Sequence, residues 1–211
     1  MADDEARSGA ARADLCRFLA ACYYEPDARF AEERLFESMA EAAGRVDPGL
    51  AEAARRLGEA FASDTLDDLL LDYTRLFLGP VDTLAKPYGS VWLGKEKTLM
   101  QDSTMDVLAL YEEGGFEIAE DFRELPDHVA AELEFLYLLL FRENSARRDA
   151  QSQALSENAD LKRRFLGGHL GRWAGPFCEA VRGGARSDFY RALADLTDRF
   201  IATEARRAVA G

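Results

Sequence analysis

Apolar residues recur at helical spacing through most of this chain. The clearest case is Leu66, Leu69, Leu70, Tyr73, Leu76 and Phe77, at i, i+3, i+4, i+7, i+10 and i+11, with Asp67, Asp68, Asp72 and Arg75 on the other side. Ser63 and Asp64 offer N-caps for it, and Gly79-Pro80 closes it. The same period predicts a helix over 5–24, with Leu15, Phe18, Leu19 and Cys22 on one stripe, ending before Pro26. Further helices are predicted over 28–43, stopping at Gly44, and over 48–62, started by Asp47-Pro48. Others follow from Asp102-Ser103 to Gly114-Gly115, and over 151–166, 169–182 and 187–208. After Pro126, Val129, Leu133, Leu136, Tyr137, Leu140 and Phe141 form a stripe, while Phe135, Leu138 and Leu139 make the helix nearly all apolar. That pattern marks a central, buried helix. Alternating β-branched runs do not occur. The fold class expected is all-α: one domain over 1–211, a bundle of about eight or nine helices.

Two segments break the pattern. Between Gly79 and Asp102 no helical stripe is convincing, yet the segment carries Pro87, Tyr88, Gly89, Ser90, Val91 and Trp92, then Gln101-Asp102-Ser103-Thr104. Structureless loops longer than ~15 residues are usually functional or disordered, and the aromatics argue against disorder. The second segment, "FEIAEDFRELPDH", holds Glu124, Pro126, Asp127 and His128, with Glu132 one turn on. Pro126 suits a first helical turn, and Asp127 sits where the helix dipole favours an anion. Residues 114–125 also read as a hinge between two helical halves. Hinges of this kind permit exchange between identical chains, so the expectation is mainly monomer with a domain-swapped dimer fraction.

Hydrophobic residues make up 48% of the 211 residues, enough for a buried core, and the formal charge is −13. That charge argues against nucleic acid and anionic lipid and suits a partner bearing positive charge. Three cysteines imply no disulfide framework and fit a reducing cytosol. The acidic N-terminal residues, with Asp3, Asp4 and Glu5 read as a solvated tail, lack the signal-peptide pattern. No apolar run approaches the ~18 residues of a membrane span, so a cytoplasmic location is expected.

Plain structural roles exist for each candidate. Asp127 complements a helix start, His128 caps one, and Tyr88 and Trp92 plug the bundle beneath the loop; Trp173 reads as core and His169 as a helix-start residue. His128 and Glu132 would give only two metal ligands, without the HExxH spacing, so no metal is expected. No phosphate-loop motif occurs and the Gly-Gly pairs follow no strand, so no cofactor is expected; guanine-nucleotide binding is neither supported nor excluded. An enzyme reading would make the chain a helical hydrolase using Asp127, His128 and Glu132, but no nucleophile pairs with a base. A third reading is a helical scaffold.

"DYTRLFLGP", "KPYGSVWL", "DST", "ELPDHVAAELEFL" and "HLGRWAGPF", in this order from Leu69 to Phe177, resemble the TorD/DmsD family of redox-enzyme maturation chaperones, with NarJ-type proteins as distant relatives. The resemblance implies a TorD-like helical fold and a cytoplasmic, non-enzymatic chaperone serving enzymes of anaerobic respiration. Its partners would be the twin-arginine signal peptide and apoprotein of a molybdopterin oxidoreductase, held back from export until the cofactor is inserted. The peptide-binding residues it implies are Pro87, Tyr88, Ser90, Trp92, Asp127 and His128. Guanidinium groups followed by an apolar run call for carboxylates beside an apolar wall. Asp102, Glu124 and Asp127 would supply the charge, and Tyr88, Trp92 and Leu93 the wall. Gln101 departs from the family, whose members often carry Gly there, and many carry Glu or Trp near Tyr88-Gly89.

Overall fold

Helix starts and stops follow the local chemistry. The computed structural model describes residues 2–79, 83–94, 98–119 and 122–210. Helix α1 spans Ala2–Cys22, α2 Arg29–Glu32, α3 Leu35–Val46 and α4 Pro48–Ser63. Helix α5 (Leu66–Tyr73) runs on into a π-helical turn, Thr74–Leu78. Then come α6 (Gly89–Leu93), α7 (Asp102–Glu113), α8 (Val129–Arg148) and α9 (Ser152–Phe165). A second π turn, Leu166–Leu170, leads into α10 (Gly171–Gly184), and α11 is Asp188–Ala210. The all-α expectation stands, with no strand among the described residues.

Asp47 caps α4 as expected, accepting from the Gly49 and Leu50 amides, with Pro48 in the first turn. The α5 cap is instead Thr65, which accepts from the Asp68 amide. Asp64, one of the residues expected there, accepts from the Phe189 amide of α11 at 3.2 Å. The helix expected over 28–43 is broken at Arg34, whose φ of 54° is left-handed and separates α2 from α3. Of the long loop, five residues form α6, too short to leave a periodic trace. Asp3, Asp4 and Glu5 lie within the backbone of α1, not in a tail; their side chains are outside the described residues.

Helix α8 is central, as its composition requires, packing along α1 and α9. Helix α3 pairs with α4, and α11 lies against α4 and α10. Leu133, Phe135, Leu136 and Leu139 are fully buried, although Phe141 at the end of the predicted stripe is exposed. All three cysteines are free and buried. The hinge-like segment is anchored at its start: the Gly114 amide bonds Leu110 O, Arg142 holds Gly114 O, and Phe116 stacks edge-on against Tyr111. Glu120 and Asp121 of that segment are outside the described residues. Among the described residues no helix is long and apolar enough to cross a membrane.

One buried ionic cluster ties distant parts of the chain. Arg12 of α1 donates from Nε to Glu204 Oε1 of α11 at 2.8 Å and lies 3.7 Å from Glu143 of α8, which also holds Lys162 of α9. Arg12, Glu143, Lys162 and Glu204 are each less than 9% exposed, so the charges are compensated within the protein.

Candidate functional site

The two segments that interrupt the helical pattern meet. Gly89 N donates to Asp127 O and Val129 N to Pro87 O, both at 2.8 Å, so Tyr88 faces His128 across a single antiparallel bridge. Asp127 fastens the junction further. Its Oδ2 accepts the Ser90 amide at 2.7 Å and the Thr104 hydroxyl at 3.3 Å, which ties the starts of α6 and α7 to the turn before α8. From α7, the Tyr111 hydroxyl donates to Pro126 O at 3.0 Å.

His128, not Pro126 or Asp127, makes the start of α8: its Nδ1 accepts the Ala130 amide at 3.2 Å. The ring lies among Tyr88, Tyr24 and Phe122, with centroids 5.3, 6.3 and 6.4 Å away. Burial lowers its pKa to about 4, so the imidazole is neutral. The Tyr88 hydroxyl donates to Glu124, and burial together with that carboxylate pushes the phenol pKa up. The Trp92 indole N–H finds its acceptor in Lys86 O at 2.8 Å, with the ring edge-on to Phe177.

Below the junction lies a buried polar cluster of Glu132, His169 and Trp173, none of them among the expected peptide-binding residues. Glu132, with no exposed surface, takes the Trp173 indole N–H at 3.1 Å and lies 2.8 Å from His169 Nε2. Burial lifts the Glu132 pKa, while at His169 the nearby carboxylate outweighs burial and raises the imidazole pKa. Gly89 rests on this cluster. A Cβ there would stand 3.0 Å from both Glu132 Oε1 and Trp173 Nε1 and 3.2 Å from His169 Nε2, so glycine permits the close approach. One signal in the sequence pointed here: a carboxylate on an otherwise apolar helix must find buried partners.

The expected binding residues are thus divided by accessibility. Pro87, Ser90, Asp127 and His128 are buried, Tyr88, Trp92 and Glu124 are half-buried, and Asp102 is exposed at the first position of α7. Asp127 presents no surface, because its carboxylate is turned inward to the starts of α6 and α7. Its Oδ1 and the hydroxyls of Ser90 and Ser103 are nevertheless buried without a protein partner at this same junction. The hydrolase set is not one relay: His128 Nδ1 engages a backbone amide, and Glu132 engages His169 and Trp173. Among the described residues no group of three or more His, Cys, Asp or Glu side chains is arranged for a metal ion.

Gln101 straps α6 down. Its Nε2 donates to Ser90 O at 3.1 Å and Thr98 O at 2.8 Å, and its amide oxygen lies 2.0 Å from where a Gly94 Cβ would stand. Gln101→Ala is expected to speed amide exchange at Gly94, whose N–H shares the Ser90 acceptor, by roughly tenfold, as loss of ~1–2 kcal/mol of bonding implies. Site-resolved hydrogen exchange checks this; unchanged protection would mean that Gln101 does not hold the loop.

The profile of the nitrate reductase delta subunit family matches residues 43–179, a span that includes both segments of the junction and the cluster beneath it. Chaperone protein TorD of Photobacterium profundum is 31% identical over 140 residues, covering 65% of this chain and 62% of the relative. Tat proofreading chaperone DmsD of Salmonella typhimurium is 29% identical over 146 residues, covering 69% and 65%. The match therefore spans less than two thirds of the length of these two relatives. The perchlorate reductase assembly chaperone protein of Dechloromonas aromatica is 28% identical over 187 residues, covering 84% and 79%. Among solved structures, a provisionally assigned redox enzyme maturation protein from Archaeoglobus fulgidus superimposes with a TM-score of 0.55 at 21% identity, over 90% of this chain and 93% of that one. That likeness establishes the shared helical fold.

Proposed function

Since this chain belongs to the nitrate reductase delta subunit family, we propose that it is a chaperone of a molybdenum-cofactor oxidoreductase, binding the twin-arginine signal peptide and apoprotein of its client. It acts in the cytoplasm as a binding protein rather than an enzyme, mainly as a monomer, and delays export until the cofactor is in place. The observation that carries the reading is the junction of the two non-helical segments. Helix starts, aromatic rings and the carboxylates of Glu124 and Asp127 converge there within a helical body. The net charge of −13 suits a ligand led by guanidinium groups. The names of the relatives, chaperones of assembly and of Tat proofreading, support the same role. The hydrolase reading lacks comparable support, since Glu132 is committed to His169 and Trp173.

A tagged pull-down from anaerobically grown source cells, read by mass spectrometry, tests the proposal. The expected result is a retained molybdopterin oxidoreductase precursor with its twin-arginine signal uncleaved. A precursor that is expressed in those cells but never retained would overturn it.

A further inference from the structure

The aromatic wall expected from Tyr88, Trp92 and Leu93 is largely spent on the protein itself. All three are half-buried, Tyr88 is bonded to Glu124, and Trp92 is bonded to Lys86 O and packed on Phe177. Accessible apolar surface lies next door instead. Leu99, Met100 and Met105 are 43%, 68% and 65% exposed. Gln101 is the N-cap of α7, so Met100 and Met105 occupy the position before the cap and the fourth helical position, whose side chains are neighbours in a hydrophobic staple. About two thirds of each nevertheless stays open to water. Met100 also holds a left-handed backbone, φ 55°, which L side chains rarely adopt. The core face of α7 is a different one, formed by Thr104, Val107 and Tyr111.

The charges beside this strip select its occupant. Asp102 and Asp106 are exposed on the same first turns of α7. Gln101 and Thr104 tie those turns to Ser90 and Asp127, so the strip is continuous with the junction. We propose that Leu99, Met100 and Met105 seat the apolar run of a client's signal peptide, while Asp102 and Asp106 receive the arginines that precede it. This rests on the function proposed above and moves the apolar subsite from the Trp92 loop to the start of α7. Unbranched methionines suit the task, since they adapt to apolar runs of differing sequence. Leu71 and Leu78, the two most exposed leucines of α5 and its π turn, fit less well. They stand about two turns apart, roughly 10 Å, and Arg75, of the ligand's own sign, lies between them.

The test uses the purified full chain and a fluorescent synthetic peptide with an Arg-Arg pair followed by a leucine- and alanine-rich run, titrated by anisotropy. A second peptide carries Gln-Gln in place of Arg-Arg. Wild type should prefer the arginine peptide. The double variant Met100→Ser, Met105→Ser should bind it about tenfold or more weakly while keeping that preference. Asp102→Asn with Asp106→Asn should lose the preference, and Leu71→Ser should bind as wild type does. These positions are exposed, so folding should survive, and circular dichroism verifies it. Wild type that binds the two peptides equally, or neither, overturns the functional reading and this inference together. Wild type that prefers arginine while the methionine double variant binds equally well overturns the inference alone.

Discussion

Glu132→Ala is expected to remove ~3–5 kcal/mol of stability, the usual consequence of deleting one partner of a buried ionic and hydrogen-bonded group. For a chain of this size that is a fall in Tm of roughly 6–20 °C. The side chain has no exposed surface, and its loss leaves the Trp173 N–H and the His169 ring without their acceptor and a void under Gly89. Glu132→Gln keeps the volume and one carbonyl acceptor, so it should lose much less. Thermal and urea unfolding of the two variants decide the matter. If Glu132→Ala melts within about 1 °C of wild type, the cluster is not structural, and the acid–base reading of this carboxylate reopens.

Acidification should weaken the fold through His128. Burial lowers its pKa from the usual 6.5 to about 4, so the unfolded chain takes up the proton first. The stability it contributes is whole above about pH 6.5, falls as the pH drops toward 4, and levels off below that, where both states are charged. At ~1.4 kcal/mol per unit the loss approaches ~3 kcal/mol. His169 works in the opposite sense. Its raised pKa adds stability below the usual 6.5 that is lost as the pH rises through its folded value. The two histidines are therefore separated by substitution. His128→Asn retains a side-chain acceptor for the first turn of α8 and removes the titration. Urea unfolding between about pH 7 and 4.5 should show a shallower acid loss in the variant; an identical slope would place the sensitivity elsewhere.

Much of this architecture was legible because it is local. The 3.6-residue period located α4, α7, α8 and α11, and the Asp47-Pro48 start of α4 is visible in two residues. The junction was legible as two interruptions with unusual chemistry. That the two meet is a matter of backbone bonds from Gly89 to Asp127 and from Val129 to Pro87, which no periodicity encodes. Helix α6 escaped because five residues complete barely more than one turn. The partners of Glu132 escaped because His169 and Trp173 stand 37 and 41 residues away. The burial of Asp127 was hidden for a related reason. In sequence it is an acidic residue before a helix, and only the arrival of α6 and α7 turns it from a surface charge into an internal fastener.

The contact between Arg12 and Glu204 bears on how the protein is made. Some 192 residues separate them. During synthesis Arg12 emerges early, yet its principal counter-ion is added only when translation reaches α11, and Glu143 of α8 comes sooner but lies farther off at 3.7 Å. Helix α1 can settle against α8 in the interval, with one guanidinium still awaiting its acceptor in a region destined to be dry. Sealing of that region must follow release of α11 from the ribosome. A nascent chain stalled before Glu204 would retain an incompletely closed bundle, and completion of the fold is tied to completion of the polypeptide through α11.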